Sequence, residues 1–293
     1  MEKVRRLTTM TPTMHDWIGN WQPGREEVDD HVDPARLHSL AATLDLAVSP
    51  AGTVPPLWHW LYCQSPWPLS SDLGEDGHPA DGPFLPPIPH RRRMFAGGRL
   101  GITEPLTVGE PVHRQAEVVD VAVKNGRSGE MLFVTVRHEY RQRGVVRIVE
   151  EQDLFYRSAA GGALSGDVNR NPLGESRTPW VSNPRLSSPL LFRFSALTAN
   201  AHRIHYDAEY ATAVEGFPAL VVHGPLLAVH MAELVRAKAA DRAVAALTFR
   251  LQRPVFMGDV VRVEGTPTAD GAELTVVSGS GVTHASATAT FVP

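Results

Sequence analysis

A short polar stretch between two apolar segments carries the residue types that could do chemistry. Residues 194–207 read Phe-Ser-Ala-Leu-Thr-Ala-Asn-Ala-His-Arg-Ile-His-Tyr-Asp. Within six positions this stretch brings together an amide, two imidazoles and a guanidinium: Asn200, His202, Arg203 and His205. An imidazole gains and loses a proton near neutral pH, so it is suited to carrying protons in a reaction. We therefore place the candidate active site on residues 200–207, the site loop.

The elements that flank the site loop follow from the hydrophobic pattern. Residues 190–198 are predicted as a strand, and residues 207–214 as a short helix. His223-Gly224-Pro225 opens a longer helix that ends near Lys238. Because this helix is apolar on almost every face, we expect it to be buried on more than one side. Four predicted strands complete the second half, at residues 243–253, 259–265, 272–278 and 282–292.

The first half combines a helix, three strands and a long loop. Asp33-Pro34 and the apolar spacing after it predict a helix over residues 34–46. Residues 57–62 fit either a buried helix or a strand. The loop over residues 65–90 is rich in Pro and Gly, and loops of that length are often functional. The strands are predicted at residues 112–123, 131–140 and 145–156.

The loop ends in a basic run, His90-Arg91-Arg92-Arg93. One interpretation is a solvated surface patch. The other is a clamp for phosphate or carboxylate, because guanidinium groups match the geometry of those anions. Arg91, Arg92 and Arg93 are therefore candidate substrate-binding residues.

Composition limits the class of protein. The chain has 293 residues, 43% hydrophobic and 20% charged, which predicts two domains or one duplicated unit. A net charge of −4 gives no reason to expect nucleic acid or a membrane as partner. The single cysteine, Cys63, excludes an intrachain disulfide and fits a cytoplasmic location; we interpret it as a core residue. No apolar run reaches 18 residues, and no signal peptide is predicted.

An internal repeat indicates duplication. Residues 105–110 and 254–259 share the pattern Pro-x-x-x-Gly-acid, and each is preceded by an Arg-Leu pair and followed by an alternating strand. Residues 158–185 lose the hydrophobic pattern. We therefore predict an N-terminal unit over residues 1–160, a linker over 161–185 and a catalytic unit over 186–293. A long apolar helix followed by an antiparallel sheet suggests a hotdog. The predicted fold is an α+β double hotdog, with two antiparallel sheets each wrapped around a central helix.

The second half resembles the MaoC-like hydratases and dehydratases, hotdog enzymes that act on acyl thioesters. Their motif is Leu-Ser-Gly-Asp-x-Asn-Pro-Ile/Leu-His-x-Asp, and residues 197–207 read Leu-Thr-Ala-Asn-Ala-His-Arg-Ile-His-Tyr-Asp. Val222-His223-Gly224 is similar to the entry into the family's central helix. The first half looks like the degenerate N-terminal hotdog of type 2 hydroxyacyl-thioester dehydratases and of mesaconyl-CoA and itaconyl-CoA hydratases, on the segment Arg92-Arg93-Met94-Phe95-Ala96-Gly97-Gly98-Arg99.

The resemblance implies a reversible hydro-lyase for enoyl-CoA and 3-hydroxyacyl-CoA thioesters, with a small dicarboxylyl-CoA such as mesaconyl-CoA as one substrate class. His205 matches the family's catalytic histidine and would carry the proton. Asn200 stands where the family has an aspartate, so it would orient the water. The helix N-terminus at Gly224 would stabilise the enolate oxygen. His202, Arg203 and His223 are further candidate substrate-binding residues.

The resemblance also implies no cofactor, an acyl-CoA or acyl-carrier-protein substrate, and a homodimer. We expect no metal, because His202 and His205 lack a third ligand in the sequence. Arg203 has an alternative role, a salt bridge that pins the loop. Two other functions remain open: a hotdog thioesterase, and an acyl-thioester binding protein that has lost its activity because asparagine replaces aspartate.

Overall fold

A computed structural model describes residues 12–47, 51–89, 91–126, 129–158 and 166–293, apart from the side chain of Ser280. His90 of the basic run and residues 161–165 of the predicted linker lie outside the described residues. In the described part, no helix is long and apolar enough to cross a membrane.

The first half forms two helices and five strands within its described residues. They are α1 (Met14–Ile18), β1 (Arg25–His31), α2 (Pro34–Thr43), β2 (Arg91–Ile102), β3 (Pro111–Gly126), β4 (Gly129–Gln142) and β5 (Val145–Ser158). The Asp33 carboxylate accepts a hydrogen bond from the Ala35 N–H at the start of α2, as the sequence predicted, but the helix ends three residues early. The ambiguous segment after residue 57 forms a 3₁₀ turn, Trp58–Leu61, and a second 3₁₀ turn spans Ser70–Asp72.

The second half forms two α-helices and five strands. They are β6 (Trp180–Ser182), α3 (Ser188–Leu197), α4 (Gly224–Lys238), β7 (Val244–Leu251), β8 (Val261–Pro267), β9 (Gly271–Ser278) and β10 (Val282–Phe291). Short helical turns lie at Arg203–His205, Tyr210–Val214 and Gly279–Gly281. The predicted central helix and four strands are confirmed to within a few residues. Strand β6 lies within the predicted linker.

One prediction in this half is wrong. Residues 190–198 were expected to form a strand, but they belong to helix α3 and its C-terminal cap. The Ser187 hydroxyl accepts a hydrogen bond from the Leu190 N–H, and Pro189 lies in the first turn. Both are helix-start signals that the apolar composition of the segment obscured.

The strands form a single ten-stranded sheet in the order β1-β3-β4-β5-β2-β7-β10-β9-β8-β6. Outward from the β2–β7 pair, the two halves have the same topology: β2 and β7 are followed by β5 and β10, then β4 and β9, β3 and β8, and β1 and β6. The repeated turns precede β3 and β8, with Gly109 and Gly258 both at positive φ. This order agrees with duplication, and it joins the two predicted sheets edge to edge.

Helix α4 is the central helix of the second half. It packs on β6, β8, β9 and β10, and also reaches β2 across the junction. The first half differs at the corresponding place, because the segment directly before β2 is the long loop rather than a helix. Its short helix α2 packs on α3 instead. The loop and α1 also cover a second core on the sheet of the first half, around Ile88, Leu132 and Tyr156.

Candidate active site

The site loop begins with a turn that Asn200 makes. Ala199 has φ 49°, which ends α3, and the Asn200 N–H donates to the Ser195 carbonyl at 2.8 Å. The Asn200 Oδ1 accepts from the His202 N–H at 3.1 Å, as asparagine often does in turns. The Asn200 Nδ2 makes no hydrogen bond to the described residues. Asn200 therefore fixes the start of the loop and keeps its amide donor free.

Arg203 fixes the end of the loop. Its Nε and Nη2 donate to the Asp207 Oδ2 at 3.0 and 2.7 Å, and its guanidinium lies 4.2 Å from the centre of the Tyr210 ring. Its Nη1 donates to the Glu75 carbonyl at 3.0 Å. These contacts agree with the salt-bridge alternative for Arg203.

His205 lies at the centre of the site and is only 7% exposed. Its Nδ1 lies 2.7 Å from the Val221 carbonyl, which only accepts, so Nδ1 carries the proton. Nε2 therefore presents a lone pair, and it has no hydrogen-bond partner among the described residues. Burial lowers the pKa of His205 to about 4, against the opposing effect of the Val221 hydrogen bond. His205 is thus a neutral imidazole at pH 7, in the state that accepts a proton.

His223 packs against one face of the His205 ring. The two rings are stacked with centres 3.7 Å apart and an angle of 20° between their planes. His223 is fully buried, and its Nε2 lies 2.8 Å from the Ser195 Oγ. Burial lowers its pKa well below the usual value, and His205 and His202 add to the shift. A neutral ring in this position holds His205 in place, so His223 lies behind the proton carrier.

The N-terminus of α4 follows His223 directly. Its first residue is Gly224, and a Cβ there would meet the Leu251 Cδ1 at 2.2 Å, so the Leu251 side chain would have to move. Pro225 occupies the first turn, and no side chain caps the helix. The backbone N–H groups of Gly224 and Leu226 are therefore free of intrahelical bonds, because the first turn of a helix has no acceptors for them. Two donors and the positive end of the helix dipole remain for an oxyanion.

His202 contacts a group from the first half that the sequence analysis did not select. Its ring centre lies 5.5 Å from that of His205 and 4.4 Å from that of His78, which belongs to the long loop. The His78 Nδ1 in turn lies 3.1 Å from the Asp76 Oδ2. Burial, His78 and His205 together lower the pKa of His202 to about 2. The site therefore includes residues of both halves.

The three arginines have different surroundings. The Arg91 Nη2 donates to the Ala80 carbonyl, and the Arg92 Nε lies 3.4 Å from the Glu215 Oε2. Arg93 lies beside the Tyr156 hydroxyl and close enough to lower the pKa values of His78 and His202. Among the described residues, no carboxylate pairs with Arg93. Arg91 and Arg93 therefore both lack a carboxylate partner among the described residues, but Arg91 is held by a backbone carbonyl, and only Arg93 lowers the pKa of His202 as well as that of His78.

Asp76, His78 and His202 each offer one donor atom, and these atoms lie within 4.8 Å of one another. Two imidazoles and a carboxylate are a donor set that several divalent metals accept. The guanidinium of Arg93 opposes a further cation there, because like charges repel. The trio differs from the His202–His205 pair considered from the sequence, and we assign no metal to it.

Asp76 and His78 could be found from sequence only in part. The signal was the length of the loop and its polar Glu75-Asp76-Gly77-His78 segment, since long loops in compact domains are often functional. The contact with the site loop spans more than 120 positions, and no local pattern encodes such a pairing.

Known proteins match the chain along most of its length. The family model for type 2 hydroxyacyl-thioester dehydratases matches residues 57–257. Over 281 residues, the chain is 42% identical to the mesaconyl-C(4)-CoA hydratase of Chloroflexus aurantiacus, covering 93% of this chain and 97% of that one.

Two solved structures share the fold. A MaoC-like dehydratase from Phytophthora capsici aligns with a TM-score of 0.64 at 13% identity, covering 94% of this chain and 98% of that one. A Mycobacterium tuberculosis protein described as a double hotdog aligns with a TM-score of 0.56 at 13% identity, covering 96% and 98%. These structures confirm the predicted double hotdog.

The matched region contains the site loop, the start of α4, and the loop that carries Asp76 and His78. The predicted resemblance and the predicted hydratase or dehydratase activity are confirmed. The chain belongs to the type 2 hydroxyacyl-thioester dehydratase family and is a hydro-lyase, an enzyme that adds water to acyl thioesters or removes it.

Proposed function

We propose that this hydro-lyase acts on a small dicarboxylyl-CoA thioester such as mesaconyl-CoA. The observation that carries the proposal is the 42% identity, over 97% of its length, to a mesaconyl-C(4)-CoA hydratase. Arg93 supports it independently, because its charge is not paired with a carboxylate and it lies near His78 and His202. A dicarboxylyl thioester has a free carboxylate that would pair with this guanidinium.

His205 is the proton carrier in this proposal. Hydration breaks one O–H bond of water, and the His205 Nε2 takes that proton while the oxygen bonds to the β-carbon. The electron pair of the double bond moves into the thioester as an enolate. The protonated His205 then returns the proton to the α-carbon, so that one imidazole serves both steps.

Gly224 and Asn200 assist this step. The N–H groups at the start of α4 donate to the enolate oxygen, and glycine lets the thioester approach the backbone closely. The free Nδ2 of Asn200 donates to the oxygen of the attacking water, while its Oδ1 holds the turn of the loop. Arg203 and His223 hold the loop and the imidazole, and His202 lines the space beside them.

The test is a hydration screen over crotonyl-, mesaconyl-, itaconyl- and long-chain enoyl-CoA. The rate is measured as the loss of enoyl absorbance, and the stereochemistry of each product is determined. We expect the highest kcat/KM on a dicarboxylyl-CoA. His205→Ala should lower kcat about 10²- to 10⁴-fold. His113→Gln is the matched control, because His113 pairs with Asp29 on a partly exposed surface. Wild-type rates in His205→Ala would overturn the mechanism. Release of free thiol without hydration would identify a thioesterase instead.

Arg93→Gln tests the substrate class. Loss of one charged hydrogen-bonding group should raise KM for mesaconyl-CoA about 10- to 100-fold and leave KM for crotonyl-CoA unchanged, because crotonyl-CoA has no free carboxylate. Arg99→Gln is the control on the same strand, since Arg99 pairs with Glu151 and Asp153 instead. Equal effects on both substrates would overturn the role of Arg93.

CoA as the carrier, a homodimeric assembly and a cytoplasmic location are further parts of the proposal. They follow from the resemblance and from the single cysteine. Sedimentation of the purified chain tests the dimer, and a comparison of CoA with acyl-carrier-protein substrates tests the carrier.

A further inference from the structure

A segment of the first half is docked tightly on the site loop. The Arg203 N–H donates to the Asp76 carbonyl at 2.9 Å, and the Arg203 Nη1 reaches the Glu75 carbonyl. Directly after Asp76, Gly77 has φ 86°, and a Cβ there would meet the Ala201 carbonyl oxygen at 2.2 Å. Two hydrogen bonds and one backbone contact therefore fix residues 75–78, the docking segment, against the site.

Within the docking segment, Asp76 determines which nitrogen of His78 is protonated. The Asp76 Oδ1 accepts from the His78 N–H at 3.0 Å, and the Oδ2 lies 3.1 Å from the His78 Nδ1. A carboxylate can only accept, so Nδ1 donates and the His78 Nε2 presents a lone pair. Burial would raise the pKa of Asp76, but the hydrogen bonds and charge interaction with His78, together with the interaction with His202, outweigh burial and lower the pKa to about 2.

The lone pair of His78 has no partner among the described residues. His78 is linked to the proton carrier through His202: its ring centre is 4.4 Å from that of His202, whose ring centre is 5.5 Å from that of His205. One ring nitrogen of His78 and one of His202 lie within 4.8 Å of each other, so His78 belongs to the same cluster of imidazoles as the site loop.

The site loop itself has no free carboxylate beside the proton carrier. Asn200 stands where the family motif has an aspartate, and the Asp207 carboxylate is paired with Arg203. His205 accepts one hydrogen of the attacking water, and a second acceptor would fix the orientation of that water. Two further imidazoles lie nearby, His202 in the site loop and His78 in the docking segment. A carboxylate fixes the free nitrogen of His78, whereas the ring of His202 makes no hydrogen bond to the described residues.

We propose that the first half supplies this second acceptor: His78 is a further catalytic residue that holds the attacking water through its Nε2, and Asp76 is its positioning residue. This inference rests on the proposed function. The water donates one hydrogen to the His205 Nε2 and the other to the His78 Nε2. When the C–O bond forms, only the proton on His205 is transferred, and it goes on to the α-carbon. The hydrogen on His78 stays with the new hydroxyl group.

The experiment compares His78→Ala, His78→Gln, Asp76→Ala and Asp76→Asn in the full-length chain, with mesaconyl-CoA and crotonyl-CoA as substrates. His78→Ala should lower kcat about 100-fold with little change in KM, because a misplaced water costs about that much. Asp76→Ala should lower kcat about 10-fold, and Asp76→Asn should recover part of the loss, since an amide oxygen still accepts from Nδ1. His113→Gln and Asp29→Asn are the controls, because they alter an imidazole–carboxylate pair on a partly exposed surface.

The outcomes separate this inference from the proposed function. A wild-type chain that is inactive on every thioester overturns both. An active wild type whose His78→Ala and His78→Gln variants keep kcat overturns the role of His78 alone. A higher KM and a lower thermal stability with an unchanged kcat would mean that the Asp76–His78 pair is structural. That result also overturns the catalytic role of His78. Stoichiometric zinc in the wild type that is absent from His78→Ala identifies a metal site instead.

Discussion

Two imidazole–carboxylate pairs of the first half have opposite surroundings. The His59 Nε2 lies 2.9 Å from the Glu150 Oε2, and both side chains are fully buried. The His78 Nδ1 lies 3.1 Å from the Asp76 Oδ2, with 13% of the histidine and 30% of the aspartate side chain exposed. The two pairs have the same chemical groups and nearly the same distance.

Their other hydrogen bonds differ. The Glu150 Oε1 accepts from the Trp60 Nε1 at 2.8 Å and from the Gln152 Nε2 at 3.0 Å, and the Tyr140 ring packs edge-on against His59. The protein core therefore surrounds this pair on every side. The Asp76–His78 pair keeps one nitrogen free next to the site loop. The comparison shows that a carboxylate beside a histidine is not a sufficient sign of catalysis, because the space around the free nitrogen decides what it can bind.

The largest expected effect is a difference in the free energy of unfolding when the carboxylate of each pair is removed. Burial would raise the pKa of Glu150, but His59 lowers it, so the carboxylate is ionised in the core. Glu150→Ala should lower the free energy of unfolding by about 3–5 kcal/mol, because it breaks a buried pair. Asp76→Ala should cost less than about 1 kcal/mol, because its pair is partly exposed. Urea unfolding measures both. Equal losses would show that both pairs are structural.

The second prediction concerns a substitution that shifts the docking segment away from the site. Gly77→Ala places a Cβ against the Ala201 carbonyl, so the segment must shift. We expect kcat/KM to fall about 100-fold, because His78 loses its position. Gly52→Ala is the matched control: Gly52 also has a positive φ, 81°, but no atom lies within 4 Å of its Cβ position. Equal activity in the two variants would contradict the docking role.

A third prediction concerns a carboxylate placed in the site loop itself. In Asn200→Asp, the carboxylate still accepts from the His202 N–H, so the turn of the loop survives. It cannot donate to the attacking water, however, and we expect kcat to fall about 10-fold. Steady-state kinetics on mesaconyl-CoA measures the change. An unchanged rate would show that the Asn200 amide does not orient the attacking water.

The smallest effect concerns pH. The proton carrier works as the neutral imidazole, and burial favours that form, so the pKa of His205 lies at about 4 instead of 6.5. The carrier therefore loses activity only as the pH falls towards 4. Between pH 8 and pH 6, kcat/KM should change less than about twofold. A profile that falls near pH 6.5, with circular dichroism unchanged, would mean that His205 is solvated.

Much of the fold was predictable from local patterns. The central helix starts at His223-Gly224-Pro225 and ends at Lys238 as predicted, because the proline in its first turn and its apolar positions are local signals. Strands β3 to β5 and β7 to β10 were predicted for the same reason, whereas β1 and β6 were not. Helix α3 was missed because Leu190, Leu191 and Phe194 satisfy both a strand and a helix, and the Ser187 cap decides between them.

The site was predictable where a motif spans consecutive residues, as it does from Asn200 to His205. Asp76 and His78 have no such motif, and their place depends on how the loop folds back over the second half. The surroundings of the run Arg91–Arg93 also could not be predicted from the sequence. Its three members are identical in type, and only the folded structure pairs Arg92 with a carboxylate, Arg91 with a backbone carbonyl and Arg93 with neither.

The junction between β2 and β7 determines what half of this chain could do alone. Gly97 and Gly98 lie so close to β7 that a Cβ on Gly97 would meet the Phe249 carbonyl oxygen at 2.4 Å. A gene that encoded only the second half would make a chain with an open β7 edge, ready to pair with another strand. It would also lack Asp76 and His78. Such a chain would have to recruit a partner that closes its sheet, and that partner would need to bring its own acceptor for the water.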